Sequence, residues 1–148
     1  LELDDGTCIA ETDAICTYFE ALQPEPPLMG KTPVEKGIIS MWQRQVELSF
    51  MMQVGMCFQH TTGYFKDRMV PVPEYGEQAG INAAKYLSIL ERRLANNEYI
   101  AGDHFSIADI TAVCAIDFAR VVKIRIREDH THLQRWYDAI THRASAKA

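Results

Sequence analysis

Two adjacent residues near the amino terminus, Glu11 and Thr12, are the best candidates for ligand binding. They stand at the start of a predicted helix over residues 11–22, where a hydroxyl group and unpaired backbone amides favour a bound carboxylate. The carboxylate of Glu11 would repel such an anion and would instead accept a hydrogen bond from an ammonium group. An ordinary surface helix can also begin with these residue types. The pattern by itself leaves both interpretations open.

A second pair, Ser106 and Asp109, has residue types that occur in catalytic couples. Their spacing is also that of a capping box, in which each side chain accepts a hydrogen bond from the backbone amide of the other residue. Phe105 and Ile110 occupy the positions of the matching hydrophobic staple. We therefore interpret the pair as structural and predict that a buried helix begins here.

Other polar residues have weaker claims to a site. Asp117 falls on a predicted apolar face, so we expect it to be buried with a partner or to mark a site; that face also includes Ile110, Val113, Cys114 and Val121. Arg44 and Glu47 could reach a ligand or form a solvated helix face. Methionines near Phe58 suit either a core or a permissive apolar pocket, namely Met51, Met52 and Met56. The histidines lack metal-ligand spacing, so no metal site is expected.

Composition limits the class of protein. The chain of 148 residues is long enough for one buried core, and its net charge of -5 argues against nucleic acid as a partner. No stretch of about 18 apolar residues predicts a membrane span. Four widely spaced cysteines with apolar neighbours are expected to be buried and reduced, as in a cytoplasmic protein: Cys8, Cys16, Cys57 and Cys114.

The elements that position these residues are mostly helical. A hairpin over residues 1–9 turns at Asp5-Gly6, and a proline-rich segment at residues 23–27 follows the first helix. A capping box formed by Thr32 and Glu35 starts a helix that should continue to about His60. Further helices are predicted over residues 74–95, from Ser106 onward and over 131–142, whereas residues 122–127 suit either a helix or an extended chain.

Two motifs together resemble the glutathione transferase family. Residues 3–15, LDDGTCIAETDAI, are similar to the last hairpin and third helix of the family's thioredoxin-like domain, where Glu or Gln precedes Ser or Thr. Residues 101–109, AGDHFSIAD, resemble the capping box and staple of its buried sixth helix. The resemblance implies an all-α bundle at residues 31–148, preceded by a linker at 24–30 and an incomplete thioredoxin-like α/β segment at 1–23.

The resemblance also implies a function. Thr12 would bind the γ-glutamyl carboxylate of glutathione and Glu11 its ammonium group, although the family usually has Ser in place of Thr12. The family's sulfur-activating Tyr, Ser or Cys has no counterpart in this chain, so no catalytic residue can be assigned. The implied activity is conjugation of the glutathione thiol to hydrophobic electrophiles by a cytoplasmic homodimer. The alternative is a non-catalytic binding or scaffold protein of the same fold.

Overall fold

The computed structural model describes residues 1–146, so the last two residues of the predicted helical domain lie outside it. Six α-helices form most of the described chain: α1 (Thr12–Leu22), α2 (Pro33–Val46), α3 (Met52–Thr61), α4 (Pro73–Leu94), α5 (Ile107–Ala119) and α6 (Thr131–Thr141). The bounds of α1, α4 and α6 and the starts of α2 and α5 lie within one residue of those predicted. The predicted all-α bundle is confirmed.

The predicted amino-terminal hairpin is present, but it is smaller than a regular two-stranded sheet. Its two arms meet at a single antiparallel bridge between Glu2 and Cys8, and Gly6 has a φ of 84° in the turn. The amides of Leu3 and Ile9 donate across the arms to the carbonyls of Thr7 and Leu1, each at 2.9 Å. A two-stranded ribbon of this size has little stability of its own.

The long helix predicted from Thr32 to about His60 is continuous, but it contains one widened turn. Residues Glu47–Met51 form a π-turn between α2 and α3. Phe50 in this turn is fully buried and stacks on Tyr86 of α4, with ring centroids 6.0 Å apart. The wide turn thus directs a large aromatic side chain into the core.

The start of α2 has the predicted capping box. Thr32 Oγ1 accepts a hydrogen bond from the Glu35 amide at 3.2 Å, and Glu35 Oε2 accepts from the amides of Thr32 and Lys31 at 3.1 and 2.9 Å. These two amide donors hold the pKa of Glu35 below its usual value. The cap therefore favours the ionised carboxylate.

The lowered pKa of Glu35 predicts how stability depends on pH. A carboxyl with a lower pKa in the folded state stabilises the fold above its unfolded pKa, about 4.3, and this contribution is lost as pH falls through the folded pKa. Glutamine can occupy the same position without a charge. We expect the melting temperature of Glu35→Gln to lie below that of the parent at pH 6 and to approach it below pH 4. Thermal denaturation followed by circular dichroism measures both melting temperatures. A difference that is constant with pH would contradict this assignment.

The central helix is α5, which contacts α2, the π-turn, α3 and α6. Its buried face carries mostly small residues, which allow the neighbouring helices to approach closely: Ile107, Ala108, Asp109, Ala112, Ala115, Ile116 and Ala119. The predicted apolar face of this helix was wrong, because Ile110, Cys114, Asp117 and Val121 are exposed. Small alanines fill the contacts with neighbouring helices, and the larger apolar residues at 110 and 121 remain outside them.

Two smaller predictions have mixed outcomes. The four cysteines are free thiols, but only Cys57 is buried, whereas Cys8 and Cys114 are exposed. Residues 122–127 adopt neither predicted alternative throughout: Val122 ends one turn of 3₁₀ helix at Arg120–Val122, Lys123 has a φ of 63°, and residues 124–127 belong to no helix or strand. Ile124 and Ile126 pack against the core, while the basic residues that alternate with them, Lys123, Arg125 and Arg127, are exposed.

Two helical glycines, Gly37 and Gly76, should respond to alanine in opposite directions. A β-carbon at Gly37 in α2 would meet no atom within 4 Å, so Gly37→Ala should stabilise the fold by about 0.5–1 kcal/mol through helix propensity. A β-carbon at Gly76 in α4 would lie 2.7 Å from His60 Cβ and 2.7 Å from Thr61 Cγ2 of α3, so Gly76→Ala should destabilise it. Urea unfolding of both variants tests this pair. Stabilisation by both substitutions would contradict the close packing of α3 on α4.

Candidate functional site

The amino terminus of α1 presents Thr12 to solvent. Thr12 is the first residue of the helix, and the first helical hydrogen bond runs from the Ile15 amide to the Glu11 carbonyl at 3.0 Å. The amides of residues 12–14 therefore precede the hydrogen-bonded ladder, and the Glu11 side chain does not cap them. An exposed hydroxyl and open amides at a helix start form an arrangement that can bind a carboxylate.

Glu11 has an unusual backbone conformation. Its φ of 68° and ψ of 131° lie in a region that residues other than glycine rarely adopt. Such a conformation costs about 1–3 kcal/mol and is concentrated at binding and catalytic sites. It is a local feature that no property of the Glu11-Thr12 pair in the sequence had indicated.

The charges around Thr12 restrict the kind of ligand that fits. Carboxylates of Glu11 and Asp13 lie on either side of it in the sequence, so a simple anion would be repelled by two negative charges. A head group carrying both a carboxylate and an ammonium group matches this combination of amides, hydroxyl and acids. The arrangement therefore favours an amino-acid-like head group.

The second predicted pair, Ser106 and Asp109, is fully buried at the start of α5. Asp109 Oδ2 accepts from the Ser106 amide at 2.9 Å and from the Ser106 hydroxyl at 3.0 Å. Its Oδ1 accepts from the Ile100 amide at 2.9 Å and from Trp136 Nε1 at 2.8 Å. The carboxylate thus joins the loop before α5, the start of α5 and the middle of α6.

The electrostatics of Asp109 also follow from its burial. Burial raises the pKa of its carboxyl group, while hydrogen bonds from Ile100, Trp136 and Ser106 act in the opposite direction. All four donors to the carboxylate come from the α5 and α6 region of the fold, and none comes from α1. The capping-box spacing predicts the link to Ser106, whereas the contacts with Ile100 and Trp136 depend on how the loop before α5 and helix α6 pack against the start of α5.

Asp117 has a different environment from the predicted one. Its side chain is 50% exposed, accepts a hydrogen bond from Tyr137 Oη at 2.5 Å and lies 3.4 Å from Arg120. The pKa of Tyr137 is raised, first by desolvation and then by this carboxylate. Asp117 therefore has a structural partner in α6, which agrees with the first of the two alternatives. It is not buried, however, and lies on the surface.

The remaining candidates also lie on surfaces or in packing clusters. Arg44 and Glu47 pair with each other at 2.6 Å. Met51 and Met52 are 41% and 47% exposed. Phe58 contacts an aromatic cluster at the end of α3, formed with Tyr64, Phe65 and Phe118. None of these residues belongs to the candidate site at the amino terminus of α1.

Comparison with known proteins decides the family. The model of the glutathione S-transferase C-terminal domain matches residues 56–144, which include the Ser106 and Asp109 pair. The chain is 38% identical to glutathione S-transferase 2 of Saccharomyces cerevisiae over 149 residues, which cover 99% of this chain and 64% of the yeast protein. It belongs to the glutathione S-transferase family.

Solved structures of the glutathione S-transferase family share the fold of this member closely. The crystal structure of Gtt2 from Saccharomyces cerevisiae superposes with a TM-score of 0.94 at 38% identity, over 99% of this chain and 72% of that one. Elongation factor 1-gamma of Prunus avium is also similar, at 30% identity over 93% of this chain and 32% of its own length. The chain thus spans somewhat less than two thirds of the length of the yeast transferase.

Two further properties complete the description of this glutathione S-transferase family member. No helix within residues 1–146 is both long enough and apolar enough to cross a membrane. Over the same residues, no group of three or more histidine, cysteine or acidic side chains is arranged to hold a metal ion.

Proposed function

We propose that the protein to which this chain belongs conjugates the thiol of glutathione to hydrophobic electrophiles. The observation that carries the proposal is the exposed start of α1, where Thr12 and three open amides adjoin the strained Glu11 in a chain 38% identical to a yeast glutathione S-transferase. In this proposal Thr12 and the amides bind the γ-glutamyl carboxylate, and Glu11 accepts a hydrogen bond from the ammonium group.

The proposed chemistry divides between two parts of the protein. A hydroxyl or thiol group outside this chain would stabilise the glutathione thiolate by a hydrogen bond, which lowers the pKa of the thiol. The helical bundle would supply an apolar wall for the electrophile. Half-exposed methionines of α2, the π-turn and α3 are suited to such a wall because their side chains adapt to different shapes: Met41, Met51 and Met52.

We further infer that the protein acts as a cytoplasmic homodimer without metal, nucleic acid or membrane partners. Exposed apolar residues along α2–α3 and α4 support self-association, and they include Leu48 at 40% and Ile81 at 49% exposure. The net charge of -5 supports the absence of a nucleic-acid partner. Sedimentation velocity tests the dimer directly.

A second candidate function is that of a non-catalytic scaffold. Its support is the similarity to elongation factor 1-gamma, which covers 93% of this chain. In this alternative the helical bundle would present a docking surface, and any glutathione bound at Thr12 would not be consumed.

A conjugation assay with a generic aromatic electrophile separates the two candidates. We expect glutathione-dependent product formation by a protein that carries the family's thioredoxin-like part upstream of residue 1, and none by the 148-residue chain alone. Activity in neither protein would favour the scaffold. Calorimetry measures the affinity for glutathione in parallel. It shows whether the protein binds glutathione even if it does not conjugate it.

A further inference from the structure

A short surface segment of the helical bundle, residues 123–127, has the side-chain pattern of an extended chain although it belongs to no strand. Ile124 and Ile126 pack against the core, whereas Lys123, Arg125 and Arg127 are exposed. Alternation with a period of two is typical of extended chain, in which successive side chains point to opposite faces. One face of the segment is therefore held by the bundle, and the other presents three basic side chains to solvent.

The backbone of this segment is only partly paired. The Ile124 amide donates to the Ala119 carbonyl at the end of α5, at 3.0 Å. Within residues 1–146, neither the amide nor the carbonyl of Arg125 has a backbone partner. In an extended chain both groups of one residue point to the same edge, and those of the next residue point to the other edge. The edge that carries the groups of Ile124 therefore faces α5, and the edge that carries those of Arg125 is open.

The acidic residues that follow the segment do not neutralise it. Asp129 pairs with Arg127 through both of its carboxylate oxygens. Glu128 is exposed and has no ion-pair partner within residues 1–146. Over the same residues, Lys123 and Arg125 have none either. The part of the segment before Arg127 thus carries two positive charges that the fold leaves uncompensated.

A cleft of about 170 Å³ lies between this segment, the end of α5 and α6. Its volume is below the range of about 300–1,000 Å³ that is typical of sites for whole small molecules, so it suits a single side chain of a larger partner. The charged residues of its wall are both cationic, Arg120 and Arg125, and the others are Ile116, Ile126, Gln134 and Tyr137. A glutamate side chain matches this wall, because its methylene groups can contact the isoleucines while its carboxylate meets the two guanidinium groups.

The guanidinium group of Arg120 is held in place at the rim of the cleft. It donates a hydrogen bond to Tyr137 Oη at 2.6 Å and lies 3.4 Å from Asp117, which in turn accepts from Tyr137 Oη at 2.5 Å. Asp117 does not line the cleft. Because a guanidinium group has five N–H donors, Arg120 retains donors for a second carboxylate.

We propose that this surface docks an extended acidic peptide of a partner protein, with glutamates at alternate positions. The peptide exchanges main-chain hydrogen bonds with Arg125, and one of its glutamates enters the cleft between Arg120 and Arg125. The glutamate two residues away pairs with Lys123. The spacing agrees, because alternate residues repeat at about 6.8 Å along both extended chains. The surface lies wholly within the helical domain and does not depend on glutathione binding at Thr12.

Titration of the ¹⁵N-labelled protein, including the upstream part, with the blocked peptide Ac-Thr-Glu-Thr-Glu-Thr-NH₂ tests this surface. We expect saturable shifts of the amide signals of residues 125–127 and slower hydrogen exchange at the Arg125 amide. Arg125→Gln and Lys123→Gln should each weaken binding about tenfold, which is the effect of losing one charge-assisted hydrogen bond. The matched substitutions Arg92→Gln and Lys85→Gln, on exposed residues of α4 outside the cleft, should leave the affinity unchanged.

Two further peptides separate recognition of the glutamate spacing from simple attraction between opposite charges. The isomer Ac-Thr-Glu-Glu-Thr-Thr-NH₂ has the same charge, but its glutamates point to opposite sides of an extended chain, so it should bind about tenfold more weakly. Ac-Thr-Gln-Thr-Gln-Thr-NH₂ should bind more weakly still. Equal affinities of the two glutamate isomers, equal effects of the surface and control substitutions, or no saturable shifts at about 10 mM peptide would overturn the proposal.

Discussion

Replacement of Asp109 by alanine is expected to lower the free energy of unfolding by at least about 3 kcal/mol. The carboxylate accepts hydrogen bonds from three buried N–H groups, those of Ile100, Ser106 and Trp136. Each donor left unpaired in the interior costs about 1–3 kcal/mol, and the missing side chain adds a cavity. A domain of this size has a total stability of about 5–15 kcal/mol, so the variant should be close to unfolding at 37 °C.

A matched control for this prediction lies on the same helix. Asp117 is also an aspartate of α5 with hydrogen-bonded neighbours, but its side chain is half exposed. Asp117→Ala should therefore change stability by less than about 1 kcal/mol. Chemical denaturation of both variants gives the comparison, and a folded Asp109→Ala protein should retain its affinity for glutathione. Parental stability of Asp109→Ala would contradict the structural role of this carboxylate.

Replacement of Thr12 by alanine is expected to weaken glutathione binding by about tenfold or more. The proposed contact is a hydrogen bond from the Thr12 hydroxyl to a carboxylate, and hydrogen bonds to charged groups contribute about 1.5–3 kcal/mol. Because Thr12 is exposed at the first position of α1, the substitution should leave the fold intact. A change in affinity would therefore reflect the lost contact.

Two variants of the same helix make the Thr12 result specific. Thr12→Ser retains the hydroxyl and should bind glutathione within about threefold of the parent, since no contact is removed. Thr17→Ala removes a hydroxyl from the next turn, where it donates to the Asp13 carbonyl, and should have little effect. Calorimetric titrations of a protein that includes the upstream thioredoxin-like part provide the measurement. Equal affinities of the parent and Thr12→Ala would remove Thr12 from the site.

Local sequence signals predicted the helices well, because their start signals consist of short-range contacts. Thr32 and Glu35 form the expected capping box within four residues of chain. The Ser106 amide bonds to Asp109 in the same way, and the buried helix begins one residue later at Ile107. Such motifs are decided by neighbours in sequence, so the sequence alone suffices to find them.

Features that depend on distant packing were not predictable in this way. The apolar pattern predicts the wrong buried face for α5, because its larger apolar residues lie on the exposed side and the neighbouring helices cover the small alanines. The role of Trp136 depends on how α6 packs against the start of α5, and the π-turn around Phe50 depends on its contact with Tyr86. The positive φ of Glu11 likewise has no signature in residue type.

The candidate site was predictable only in part, because residue types indicate chemistry and the surrounding structure supplies the geometry. Glu11 and Thr12 were identifiable as a helix start that suits an anion. The structure adds that Thr12 is exposed and that the amides of residues 12–14 lie before the helical ladder begins.

In the proposed function, the γ-glutamyl head group of glutathione binds at the start of α1. Its most direct test is an amide-shift titration of the protein that includes the upstream part, comparing glutathione with cysteinylglycine, which lacks the γ-glutamyl group. We expect glutathione to shift the amide signals of Thr12, Asp13 and Ala14 and cysteinylglycine to leave them unchanged. Equal shifts of these three amides with both ligands, or none with glutathione at saturation, would contradict it.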